Sequence, residues 1–335
     1  MTEPFVSVVT PFYNTQAYLA ECIESVLAQT YGNFEYVLLD NHSTDGSADI
    51  AARYAQRDSR IRLVRTARLL PQVENYNFAL SLIGHESRYC KMAQADDFLY
   101  PRCLTEMVAL AEAHPSVSLV SSYRMIEDTV DCVGLHARES IVPGERACRL
   151  HLLGKAYLFG SPSTVLYRSE DVRARTPFFE LGRFHEDTET AFELLENRDF
   201  GFVHQVLSFS RRNADSIMGS AKSLHPYALD HFIIFKRFGR KFLDDEDYAR
   251  CEREVTAQYY YGLAGRWIDD GFRMADNKFW SYQRRGLATV NARVEPKLLA
   301  RFAAELGARR ALSPLTLVRD WRAAVQRQRN QNRNG

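Results

Sequence analysis

The sequence predicts an α/β fold with a mixed, mostly parallel central sheet, followed by a helical C-terminal region. Three observations carry that expectation. Over the first hundred residues, short β-rich apolar runs alternate with helix-period segments, the pattern of parallel strands joined by crossover helices. The runs end in polar clusters, at Pro11–Asn14, Asp40–Ser47 and Gln94–Asp97, and strand ends in such sheets are where ligands sit. After Ser216 strand-like runs vanish and long amphipathic stretches take over.

In chain order, strands are expected at Val6–Thr10, Phe34–Leu39, Ile61–Val64 and Tyr89–Met92, with helices between them at Gln16–Ala28, Asp45–Arg57 and Val73–Leu82. Pro101 suits the first turn of a helix, which runs to about Ala113 before His114 and Pro115. Further strands fall at Ser118–Tyr123, Thr164–Tyr167 and Phe200–Phe209, and helices at Glu252–Trp267 and Pro296–Leu306. The expected organisation is an α/β domain over 1–215, a helical region over 216–325 and a disordered tail over 326–335, whose polar composition cannot build a core.

The 335 residues are 46% hydrophobic and 25% charged, which suits a globular chain and excludes wholesale disorder. A net charge of +1 gives no footprint for a nucleic-acid partner. No apolar run approaches the ~18 residues of a membrane span, and Met1–Pro4 lacks a basic, apolar leader, so the expected location is the cytoplasm. From Arg301 onward Glu305 and Asp320 face eight arginines beside Leu317 and Trp321. Such an end could rest on the anionic inner face of a membrane, or be a solvated helix face running into a frayed tail. Cys22, Cys90, Cys103, Cys132, Cys148 and Cys251 show no metal-binding spacing and read as reduced, buried thiols.

Four clusters carry chemistry. In VSVVTPFYNT a buried strand breaks at Pro11, and Tyr13 could stack on a base. In YVLLDNHSTDGS, Asp40 ends a run of apolar and aromatic residues; its carboxylate can accept the imide N–H of uracil, while Asp45 reads as a helix cap. In YCKMAQADDFLYP, Asp96 and Asp97 repel one another at a strand end, which makes a divalent cation with hard oxygen ligands a natural partner. In FHEDTETAFELLEN, Glu186, Asp187 and Glu189 open a helix, where acids favour the macrodipole. Asp187, following a loop at Gly182, is placed as a general base for a hydroxyl, with Glu186 the neighbouring candidate.

In this order and spacing, VSVVTPFYN, VLLDNHSTDGS, ENYNFAL, QADDFLYP, GSPSTVLYR and the HED cluster resemble the family 2 inverting glycosyltransferases of the GT-A fold, over roughly residues 5–212. The resemblance implies a nucleotide-sugar donor and a glycan or lipid-linked acceptor. It implies that Thr10, Pro11, Tyr13 and Asn14 frame the base and ribose, that Asp40 contacts uracil, and that Asn77 lies near the nucleotide. Asp96 matches the last acid of the family's DxD metal motif and Asp97 follows it, so Mn2+ or Mg2+ is the implied cofactor. Ser161, Pro162 and Ser163 match a segment lining the sugar pocket, and Asp187 matches the catalytic base. Two positions depart from the pattern: Gln94 stands where DxD begins with an acid, and Asn213 where many relatives carry a histidine.

The implied reaction is one in-line displacement at the anomeric carbon, with inversion. A degenerate member that binds nucleotide or glycan without turnover is the alternative that Gln94 and Asn213 motivate. A nucleotidyltransferase is disfavoured because no lysine-bearing glycine-rich phosphate loop follows the first strand, and an oxidoreductase because no GxGxxG follows any strand. The C-terminal helices could also pair two copies of the chain into a homo-oligomer.

Overall fold

The computed structural model of the chain describes residues 3–212, 222–274 and 277–309. Two compact units divide it, Met1–Ser220 with Phe238–Asp247, and Ala221–Arg237 with Tyr248–Gly335. The expectations on Asn213, Leu317, Trp321 and the tail lie outside the described residues.

The first unit is built on a ten-stranded sheet. Its parallel part comprises β1 (Val6–Phe12), β2 (Phe34–Asp40), β3 (Ile61–Arg65) and β4 (Tyr89–Met92), in the order β3-β2-β1-β4. Every residue of β1 is buried, because β2 and β4 flank it and helices cover both faces; a strand in that position reads as a continuous apolar run. Helix α1 (Leu19–Leu27) turns Leu19, Cys22, Ile23 and Val26 onto Val6, Val8, Phe12, Tyr36 and Leu38. At helical spacing, each such aliphatic side chain contributes about 1.5–3 kcal/mol. Helices α2 (Ser47–Ala55) and α3 (Gln72–Ser81) complete the crossovers.

The sheet then becomes mixed, as expected. The short β5 (Phe98–Leu99) leads into α4 (Cys103–Ala113), followed by β6 (Val117–Ile126), β7 (Thr129–Asp131), β8 (Ile141–Pro143) and α5 (Gly144–Leu152). Next come β9 (Leu166–Arg168), α6 (Ser169–Arg173), α7 (Glu186–Leu194) and β10 (Asp199–Ser210). β9 lies antiparallel between β4 and β6, with Lys91 opposite Leu166, so the turn before β9 sits over the end of β4. β10 runs parallel to β6 and antiparallel to β5, pairing Phe209 with Phe98. Their rings stack at 4.7 Å, which brings residues 210–211 beside the acids that precede β5. Strands β5, β7 and β8 and helices α5 and α6 were not expected: two to five residues, or nine between loops, carry too little periodicity to register.

The remaining helices are α8 (Pro226–Phe242), α9 (Asp245–Asp269) and α10 (Lys278–Ala288), with helical residues 296–309 after them. In the second unit Phe232 stacks on Tyr259 at 4.7 Å. Gly286 lets α10 approach α8: a Cβ there would stand 2.5 Å from Leu229 Cδ2. All six cysteines are free and buried. Among the described residues, no helix is long and apolar enough to cross a membrane.

Candidate active site

The carboxyl edge of β1 and β2 is zipped by the loops that follow them. Asn14 takes a left-handed conformation (φ 50°), which asparagine tolerates better than most residues. Its N–H donates to Ser43 Oγ at 3.2 Å and its Oδ1 accepts from the Thr44 N–H at 2.8 Å. Asp45 receives the N–H groups of Ser47 and Gln16 at 2.9 and 3.1 Å, so it orders the start of α2, the capping role expected of it. The Asp40 side chain is buried. One oxygen accepts from the Ser43 N–H at 2.8 Å; the other has no hydrogen-bond donor among the described residues and is ion-paired with Arg65, 3.4 Å from its Nε. Beside it Tyr13 is 41% exposed, open enough to stack on a planar ligand, and Pro11 is buried in the strand.

Thr10 and Asn77 serve the scaffold with their side chains. The Thr10 hydroxyl is buried and hydrogen-bonds Tyr36 Oη at 2.9 Å, on the face of β1 turned to α1. Asn77 clamps a segment of loop, its Nδ2 donating to the Phe179 carbonyl and its Oδ1 accepting from the Phe179 N–H, both at 2.8 Å. Its distance in sequence, 102 residues, hides that role from any local pattern.

At the end of β4 the two acids have different surroundings. Asp97 is buried: Oδ2 accepts from Ser210 Oγ at 3.1 Å and Oδ1 from the Arg211 N–H at 3.3 Å. Burial, and then the charge of Asp96, push its carboxyl up to about 7. Asp96 is half-buried, and among the described residues no other side chain hydrogen-bonds its carboxylate. Burial raises it too, against the pull of Arg211, whose Nε donates to the Asp96 carbonyl at 2.9 Å. Arg211 also binds Glu21 and lies over the rings of Tyr18 and Phe209 at 5.1 and 5.6 Å. Sequence reasoning missed this arginine, because β10 delivers it from 115 residues away.

Gln94, the departure from DxD, is held on three sides. Its Nε2 donates to the Tyr76 hydroxyl at 2.8 Å and its N–H to Ser163 Oγ at 2.9 Å, and Ser163 Oγ also reaches Gln94 Oε1 at 3.4 Å. Ser163 belongs to a one-turn 3-10 helix, Pro162–Thr164, in which Ser161 and Thr164 cap each other reciprocally. The Ser161–Pro162–Ser163 segment and the acids are thus brought together. No group of three or more His, Cys, Asp or Glu residues forms a complete metal shell among the described residues. What the donor set fits is a hard divalent cation sharing its shell with a phosphorylated ligand: a half-buried carboxylate that, among the described residues, no other side chain hydrogen-bonds, backed by a second acid.

Asp187 stands at the start of α7, half-buried, with Oδ1 accepting from the Thr188 N–H at 2.7 Å. Burial pushes its carboxyl above the ordinary carboxylate range, against the pull of His185, of Thr188 and of Arg124 on β6. Tyr157, Cys132 and Tyr167 all feel its charge, so β9 and the loops around β7 and β9 converge on it. Glu186 is buried and acts instead on Tyr76 and Tyr167. Glu189 is buried 3.3 Å from Arg183 Nε, the structural end of the cluster.

A mostly parallel sheet with acids gathered along its carboxyl edge, continued by antiparallel strands, is the architecture of the GT-A glycosyltransferases. The model for Glycosyl transferase family 2 matches residues 7–175. The chain belongs to that family. EpsE of Bacillus subtilis (strain 168), named as a glycosyltransferase, is 30% identical over 255 residues, 72% of this chain and 90% of EpsE. Among solved structures, S. aureus TarS 1-349 in complex with UDP-GlcNAc superposes with a TM-score of 0.56 at 17% identity, covering 85% of this chain and 80% of that one. The mannosyltransferase PcManGT from Pyrobaculum calidifontis, in complex with GDP-Man and Mn2+, gives 0.54 at 18% identity, covering 94% and 82%. At these identities the two structures show a shared fold.

Proposed function

We propose that this glycosyltransferase is inverting and metal-dependent, moving a sugar from a nucleoside diphosphate donor, UDP-linked by preference, to a hydroxyl of a glycan or lipid-linked acceptor. Residues 1–215 form the catalytic domain in this reading. The observation that carries it is Asp187, a half-buried carboxylate anchored through one oxygen by Thr188 at the mouth of α7. A carboxylate whose basicity burial raises above the ordinary one is the better general base. As the acceptor oxygen bonds the anomeric carbon, Asp187 takes its proton, and the bond from that carbon to the diphosphate oxygen breaks on the opposite face.

The other groups bind and orient. Asp40 accepts the imide N–H of uracil on the oxygen that Arg65 faces at 3.4 Å and that no described residue hydrogen-bonds; Tyr13, Pro11 and Asn14 border the base and ribose, and Ser161–Ser163 border the sugar. Asp96 would hold the cation, and Asp97, buried behind it, would support it. Bound Mn2+ or Mg2+ supplies positive charge against the diphosphate leaving group. Nucleotide-sugar complexes of TarS and of PcManGT, the latter with Mn2+, support this reading of the donor and metal. Work at the cytoplasmic face of a membrane, on a lipid-linked acceptor and as a homo-oligomer, belongs to the same proposal.

A panel of nucleotide sugars tested by thermal shift with Mn2+ examines the reading. A UDP-sugar at about a hundred times its dissociation constant should stabilise the protein by ~2.7 kcal/mol. Release of free UDP with a hydroxyl acceptor should follow. Binding without release would favour a non-catalytic member, the reading that Gln94 in place of an acid motivates; no shift with any donor would sink both.

A further inference from the structure

Lys91 sits in the central strand β4 and is fully buried, with 0% of its surface exposed. An ammonium carried into an interior costs several kcal/mol of hydration unless it is well paired. Among the described residues no carboxylate lies within ion-pair distance of it. Its Nζ instead donates to two backbone carbonyls, Ser163 at 2.6 Å and Val165 at 3.3 Å. Those carbonyls bracket the end of the Pro162–Thr164 turn, and Ser163 is the residue whose hydroxyl meets both the N–H and the side chain of Gln94. The chain of contacts therefore runs from Lys91 through the turn to the acid cluster, with the charge of Asp97 also felt at Lys91.

We propose that Lys91 is a positioning residue of the donor site: from within β4 it fixes the Pro162–Thr164 turn, so that Ser163, Gln94 and Asp97 keep one geometry. This deepens the functional reading above and rests on it. If stability were the purpose, a methionine of similar length would serve as well or better, since it removes the cost of burying an ammonium and leaves the strand packed. A lysine retained at this place does something a methionine cannot: it orients two carbonyls.

The test is a cycle of K91M, S163A and the double variant, with three readouts. K91M is expected to keep or raise the thermal midpoint, while amide exchange of residues 163–165 speeds up about tenfold and that of β1 is unchanged. Its kcat is expected to fall about ten- to a hundredfold through misplacement of the donor, with donor KM within about threefold. In the S163A background K91M should add less than about a twofold further loss, because both act through one turn. If K91M does not fold, Lys91→Leu, which also lacks a donor, carries the same cycle; Lys91→Gln, which keeps a donor to the carbonyls without the charge, is expected to restore part of the lost protection and kcat. Unchanged exchange in the turn overturns the proposal whether or not turnover is seen, as does parental kcat or a full multiplication of the two losses. An inactive parent counts against the functional reading; a K91M matching an active parent counts against Lys91 alone.

Discussion

The side-chain amide of Gln94 donates to the Tyr76 hydroxyl at 2.8 Å, so the first position of the QADD segment is tied to α3. Tyr76 also accepts from Gln72 Nε2 at 2.7 Å, and burial drives its hydroxyl far above the ordinary phenol range. The network is neutral throughout, and it fixes the orientation of the Gln94 amide through its nitrogen. Tyr76→Phe would leave both amide donors without an acceptor in a buried site. The expected loss is about 1–3 kcal/mol, read as a lower urea midpoint at unchanged slope. A loss below about 0.5 kcal/mol would mean that water replaces the hydroxyl and the tie is loose.

For Asp96→Ala the expectation is loss of metal-dependent UDP binding with the fold retained, because among the described residues its carboxylate takes only its own backbone N–H and the attraction of Arg211, whose Nε stays bonded to the Asp96 carbonyl. Calorimetry with and without Mn2+ reads it directly. Unchanged affinity and unchanged metal dependence would remove Asp96 from the metal site.

Asp97 makes stability depend on pH with a definite sign. Its carboxyl is raised from 3.8 to about 7, so the folded protein binds a proton that the unfolded chain has already released. The stabilisation is complete below about pH 4 and is lost as pH rises through about 7. Without metal, Asp97→Asn should therefore raise the thermal midpoint relative to the parent more at pH 8 than at pH 5, by a few degrees. Asparagine can accept from the Arg211 N–H and donate to Ser210 Oγ, so the local bonds survive. Equal differences at the two pH values would show that Asp97 is ionised at little cost.

Asp187→Asn should nearly eliminate transfer while donor and metal still bind. Asparagine keeps the size of the side chain and can accept from the Thr188 N–H, but it cannot take the acceptor's proton. A loss of about 10² to 10⁴ in kcat is the scale for a general base. Run beside it, Glu186→Gln should cost stability more than turnover, since Glu186 is buried. Parental turnover in Asp187→Asn with loss in Glu186→Gln would move the base by one residue; retention in both would leave the cluster a helix start.

Much of the parallel half was legible from local order alone. β1, β2 and β4 are buried on both faces, so each writes itself as a mostly apolar run, broken by Glu35 in β2 and Lys91 in β4, and α1 shows its face at helical spacing. The candidate base was legible because Asp187 falls on the first turn of a helix after a glycine loop. The short antiparallel strands were not, for a strand of two or three residues exists only by virtue of its partner.

Adjacent acids show where local order runs out. Sequence alone establishes that Asp96 and Asp97 stand at the end of a buried strand, because hydrophobic burial acts residue by residue and leaves its pattern in the chain. It does not say which carboxylate is enclosed. That depends on Ser210 and Arg211, which β10 brings in from 113 and 114 residues away, just as the buried Lys91 meets carbonyls 72 and 74 residues on. Hydrogen bonds and desolvation depend on what lies within a few ångströms in space, and only the folded sheet, by placing β9 and β10 around β4, decided that.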